Sequence, residues 1–406
     1  VFIIGGFMSI GISNLCKRMQ ESPTLAISEK AQQLSREGYQ VISFGVGEPD
    51  FQTPEFIRDA AKTAVDEGYT KYTSVAGTIE LRNAIVDKLR KDHGLVYQPN
   101  QIIVSNGAKH SIYNCLRAIL DPGDEVILPA PCWASYPEMI ELCGGIPVIV
   151  QGDVDNNFLP HFEDIKNAVS HRTKAILINS PSNPCGNIWN EQLLRVVAAL
   201  ALDKQFYIIS DEIYEKLIYD GKQHFSIARA SEEAKALCII INGASKAYSM
   251  TGFRIGYAAG PKDVIAAMTT FQSQTTTSAV SMAQYAATIA FLSDDSCCAT
   301  MKDGFEHRRN TLVRMLNEIP MLSCNRPEGA FYIMVDVRRC IGKAYQNSLI
   351  KNDMDFAALL LEDAKVAVVP GEPFFAPGFC RLSYALEEAL AVEGVRRIAD
   401  FVSKLK

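Results

Sequence analysis

The chain has 406 residues, 48% of them apolar, and a formal net charge of −6. That length exceeds what one small hydrophobic core serves, so two domains are expected. The acidic balance excludes nucleic acid, which needs a basic footprint, and a polybasic membrane surface.

The 11 cysteines are scattered and show no C-x-x-C spacing, which reads as reduced thiols in a cytoplasmic protein. The six histidines never fall at ligand spacing with cysteines or carboxylates, so no metal site is expected. The opening "VFIIGGFMSIGI" lacks the basic flank of a signal peptide and the length of a membrane span. Met8 reads as a native start, with residues 1–7 a cloning remnant at the head of an N-terminal arm, 1–21.

Thr53-Pro54 reads as a capping residue before a proline at the first helical position. Phe56, Ile57, Ala60, Ala61, Ala64 and Val65 follow at helical spacing, and Gly68 stops the run. From about residue 100, short Val- and Ile-rich runs alternate with helical stretches. The runs are "QIIVSNG", "EVILPA", "IPVIV", "KAILINS", "FYIISDE", "ALCIIING" and "RIGYAAG". That alternation predicts an α/β fold, a mostly parallel sheet between helices, over residues 54–300. Beyond residue 300 a long helix, "GAFYIMVDV", a polar insert (338–355), "VAVVPG" and "CRLSYAL" predict a smaller α+β domain. It comprises 301–406 and is joined in space by 22–53.

Ligands of an open α/β sheet bind beyond the carboxyl ends of its strands. Those ends carry Asn106, Gly107, Ala108 and Lys109 before a helix, then Trp133, Asn183, Asp211 with Tyr214, and Lys246. Singly, each is explained by a cap, a turn, packing or a solvated lysine. Together they offer an anion cradle, an aromatic plate, an amide, an acid with a phenol, and a lysine. Those parts suit pyridoxal phosphate. "GVGEPD" lacks the last glycine and the helix of a dinucleotide fingerprint, and neither a P-loop nor a G-x-S-x-G elbow occurs.

The motifs "GVGEPDF", "KYTSVAG", "DPGDEVILPAPCWASYPEM", "NSPSNPCG", "SDEIYE", "SKAYSMTGFRIGY", "PEGAFY" and "RLSYA" occur in this order from about residue 20 to the end. With them the chain resembles the class I aminotransferases of pyridoxal-phosphate fold type I, most closely the bacterial aspartate aminotransferase branch. The resemblance implies ping-pong transamination between amino and 2-oxo acids, aspartate with 2-oxoglutarate foremost, through a Schiff base on Lys246. Asp211 would face the cofactor's pyridine nitrogen, Asn183 and Tyr214 its ring oxygen, and Trp133 its ring. Gly107, Ala108, Lys109, Ser245 and Arg254 would surround the phosphate. Tyr72 would reach the other subunit's phosphate, implying a homodimer with shared sites.

For the substrate, the resemblance implies Arg381 on the α-carboxylate, with Gly47, Trp133 and Asn183 beside it. Lys109 would take the distal carboxylate, assisted by Ser22 and Thr24. Relatives that also use prephenate carry a basic residue where this chain has Gln20, so weak prephenate activity is expected. Phe253 stands where similar enzymes often have tryptophan, a packing exchange. The alternatives are an aromatic or branched-chain aminotransferase, a C–S β-lyase of the same fold type, and an effector-sensing regulator. The last normally carries a DNA-binding module ahead of this fold.

Overall fold

The computed structural model describes residues 11–19 and 23–406. Ser22 and Gln20 lie outside the described residues. So does the side chain of Thr24, whose backbone is in the helix Pro23–Arg36.

A seven-stranded sheet organises the central part of the chain. In spatial order its strands are Ile102–Ser105, Gly256–Ala259, Cys238–Gly243, Tyr207–Asp211, Thr173–Asn179, Glu125–Ala130 and Ile146–Gln151. All run parallel except Gly256–Ala259, which is antiparallel to both neighbours. The central strands are apolar on both faces because both are covered. Ile208 and Ile240 belong to one core, while Ile209, Ile239 and Ile241 belong to the other.

The helix Glu55–Asp66 corrects one expectation. Pro54 occupies the cap itself and supplies no side-chain bond. The Thr53 hydroxyl instead donates to the Ser249 carbonyl at 2.5 Å, tying this segment to the turn after Lys246. The Pro54 ring still fixes a backbone angle compatible with helix entry.

A second core gathers Ile42, Phe44, Ile213, Tyr214, Leu217 and Tyr219 with residues from Met301 to Val402. Its antiparallel sheet runs Val369–Pro370, Phe379–Ser383, Tyr332–Asp336, Ser323–Cys324. Ile42–Ser43 pairs in parallel with Val366–Ala367, which draws residues 42–47 against this core. Among the described residues, no helix is long and apolar enough to cross a membrane.

Candidate active site

The parallel strands end on one edge of the large sheet, and a cavity of about 450 Å³ opens there. Gly47, Ala108, Lys109, Trp133, Asn183, Asp211, Tyr214, Ser245, Lys246, Arg254 and Arg381 line it. Residues far apart in the chain therefore meet because each follows its own strand or turn.

Lys246 is part-buried, and its Nζ donates to the Gly47 carbonyl at 2.5 Å. Burial pulls its ammonium down to about 8; Glu48 opposes this, and the cations Arg254 and Arg381 add to it. Asp211, at the end of its strand, is 3% exposed. Burial pushes its carboxyl up to about 6 even though the Tyr136 hydroxyl (2.7 Å) and the Ile213 N–H (3.2 Å) both donate to it. A buried carboxyl held that high is short of a positive partner.

Asn183 and Arg381 are joined: Arg381 Nη1 donates to Asn183 Oδ1 at 2.9 Å, and Nη2 to the Gly45 carbonyl at 2.9 Å. Arg381 Nε is buried without a hydrogen-bond partner among the described residues. Its guanidinium lies over Tyr332 and Phe374, with 4.6 and 5.0 Å to the ring centroids. The Tyr214 and Tyr332 hydroxyls are 2.9 Å apart. Burial and the Tyr332 contact hold the Tyr214 phenol well above its ordinary value, so it stays protonated.

Gly107 caps the helix Ala108–Ile119 at φ +90, and a Cβ there would lie 2.3 Å from Arg254 Nη2. Only glycine leaves this left-handed turn open beside the guanidinium. Arg254 itself donates to the carbonyls of Thr251 (2.9 Å) and Asn106 (3.4 Å). Lys109 Nζ sits 4.6 Å from the centroid of Trp133. Burial and nearby Arg254 lower its ammonium.

Tyr72 does not share this cavity and is 90% exposed. Conversely, Tyr136, Asn179 and Tyr332 line the cavity without having been singled out from the sequence. Tyr136 lies in the first turn of the helix that follows Trp133, and it packs edge-on against that ring, with 5.3 Å between centroids. Asn179 closes its strand, donates to the Asp211 carbonyl at 3.0 Å and accepts from the Asn183 N–H at 2.8 Å. Histidine spacing along the chain says nothing about which histidines meet in space. Folding brings His93 and His224 together with Glu212 and Glu215, although sequence spacing gave no sign of it.

These groups fit pyridoxal phosphate. The glycine cradle and helix start beside Arg254 suit a phosphate, a buried carboxyl lacking a cation suits a pyridine nitrogen, and a lysine of lowered pKa suits an aldehyde.

The family model for aminotransferase class I and II matches residues 39–398. The aspartate aminotransferase of Bacillus subtilis (strain 168) is 48% identical over 94% of this chain and 96% of its own. A probable aspartate/prephenate aminotransferase of Aquifex aeolicus is 45% identical over 98% of this chain and all of its own. Among solved structures, the aspartate aminotransferase from Rhizobium meliloti superposes with a TM-score of 0.95 at 40% identity, covering 98% of this chain and 100% of that one. A matching cavity, near-full-length likeness and the family match make this chain a pyridoxal-phosphate-dependent aminotransferase of the class I and II family.

Proposed function

We propose that the enzyme transfers the amino group of aspartate to 2-oxoglutarate, working as a cytoplasmic homodimer. The observation that carries the substrate reading is the charge at the cavity. Four cations, Lys109, Lys246, Arg254 and Arg381, line it against two carboxylates, Glu48 and Asp211, and among the described residues none of the four is within ion-pair distance of a carboxylate. A dicarboxylic substrate together with a phosphate supplies the missing negative charge. The names of the Bacillus and Rhizobium relatives support the same choice.

In this reading Arg254, Ser245 and the turn at Gly107 and Ala108 hold the cofactor's phosphate. Asp211 faces its ring nitrogen, Asn183 and Tyr214 its ring oxygen, and Trp133 its face. Bound there, pyridoxal phosphate supplies an aldehyde for the amino group and a ring that accepts electrons from the substrate's Cα. Lys246 is the general base and acid that moves the Cα proton. A lysine brought to about 8 keeps a usable neutral fraction near neutral pH, which a surface lysine lacks. Arg381 and Asn183 orient the α-carboxylate, Gly47 lies beside it, and Lys109 takes the distal carboxylate.

The division of the chain into a large part, 54–300, and a small part, 22–53 with 301–406, belongs to the same proposal. The exposure of Tyr72 favours its serving the partner's site across a dimer. Lys109→Ala tests substrate choice. Loss of one charge-assisted contact costs about 1.5–3 kcal/mol, roughly ten- to over a hundredfold in kcat/KM for aspartate. Turnover of alanine or phenylalanine should stay within about twofold. Equal loss for all amino acids would assign Lys109 to the cofactor or the fold instead. Comparable rates with prephenate would widen the substrate class.

A further inference from the structure

Behind the strand Tyr207–Asp211 lies a second cluster of ionisable groups, none of which lines the active cavity. His93 ends the helix Ile79–His93, Glu212 and Glu215 follow the strand, and His224 precedes the turn at Ile227–Arg229. One ligand atom from each of the four lies within 4.8 Å of the others. His93 Nε2 is 2.6 Å from Glu215 Oε2, and His224 Nε2 is 3.0 Å from Glu212 Oε2.

The two oxygens of Glu212 differ. Oε1 accepts from the hydroxyls of Ser210 (2.8 Å) and Ser226 (2.7 Å). Oε2 pairs with His224 Nε2 as a charge contact outside hydrogen-bond geometry, and neither atom has a hydrogen-bond partner among the described residues. Glu212 is 1% exposed, so this oxygen depends on His224 or on a bound ion rather than on water.

The surrounding charges agree. Lys88 holds Glu215 through Oε1, leaving Oε2 toward the histidines, and lies 3.0 Å from Asp92. Lys216 reaches Asp92 at 2.9 Å and Asp295 at 3.2 Å. Lys91 joins Asp295 from the solvent side, and the Tyr248 hydroxyl donates to Asp295 at 3.0 Å. The Tyr257 hydroxyl is buried without a partner among the described residues. Carboxylates thus outnumber ammonium groups in the interior, and imidazolium protons or one divalent cation restore the balance. An access route exists, because His224 also lines a surface cavity with Trp189, Lys222, Phe225, Arg229 and Glu328.

We propose that His93, Glu212, Glu215 and His224 form a structural site for a divalent transition metal of the zinc class. Two imidazoles and two carboxylates are a donor set such ions accept in four-coordinate geometry. The metal ties the end of one helix to the loop that begins one residue after Asp211.

The test uses the chelator-stripped holoenzyme titrated with Co²⁺ alone. One Co²⁺ per chain is expected, with ligand-field bands of a four-coordinate ion outside the cofactor's absorption. His224→Gln should weaken binding at least about tenfold while leaving aspartate turnover unchanged. That unchanged turnover keeps this result separate from the substrate reading. X-ray absorption on the zinc-loaded wild-type enzyme should show nitrogen and oxygen neighbours only, which settles the site even if His224→Gln fails to fold. No uptake, uptake indifferent to His224→Gln, or a sulfur neighbour from one of the cysteines would overturn the proposal.

Discussion

Two charged regions lie on either side of Asp211 and Glu212, adjacent residues at the end of one strand. In the cavity, Lys246, Lys109, Arg254 and Arg381 gather without ion pairs among the described residues. Behind the strand, Lys88 and Lys216 are enclosed by Asp92, Glu215 and Asp295. The same residue types therefore take opposite electrostatic roles. Burial pulls Lys246 down to about 8. Burial acts on Lys88 too, but Glu215, Tyr257 and Asp92 more than offset it and hold the ammonium well above its ordinary value. Charges that find partners inside the fold hold it together; charges left unpaired at an opening are available to a ligand.

The sharpest way to break this contrast is Lys246→Ala. Removing a general base and acid costs about a hundred- to ten-thousandfold in rate. Steady-state transamination should fall by that range while the urea midpoint changes little. A collapse of stability with activity per folded molecule retained would place Lys246 with the structural charges.

Lys88→Met asks the converse. Removing the ammonium leaves buried Glu215 with His93 alone and should cost about 3–5 kcal/mol in urea unfolding. The kcat of whatever folded enzyme remains should be near wild type. A cost below about 1 kcal/mol would mean that the network is solvated like a surface pair.

Asp211→Asn gives the smallest expected effect, and a gain. In the unfolded chain the carboxyl titrates near 3.8, and in the fold at about 6. Between those values the native state holds the extra proton, so stability falls as pH rises through the interval. The burden is absent below about pH 4 and complete above about pH 6, where it amounts to about 3 kcal/mol. The cofactor-free variant should therefore be more stable than wild type at about pH 8 and equal to it near pH 4, yet poorly active. Equal stability at both would show that neighbouring dipoles already compensate the carboxylate.

Much of this arrangement was legible in the chain. The parallel strands announce themselves through continuous apolar runs, and parallel topology forces their ends onto one edge. Lys109, Trp133, Asn183, Asp211 and Lys246 could thus be placed together before any coordinates were known. Tyr332 was harder because it comes from the second core and meets Tyr214 only through tertiary packing. The buried network was invisible for the same reason. His93 and Glu215 are 122 positions apart, so no local spacing reports their contact. Thr53 shows the reverse failure: a strong local capping signal lost to a carbonyl 196 residues away.

One short stretch links the two chemical ends of the cavity. Gly45 O receives Arg381 and Gly47 O receives Lys246, both from the segment that follows the strand Ile42–Ser43. The amine assigned to the cofactor and the guanidinium assigned to the substrate therefore both rest on one three-residue stretch of backbone, so a single substitution there would disturb both contacts at once.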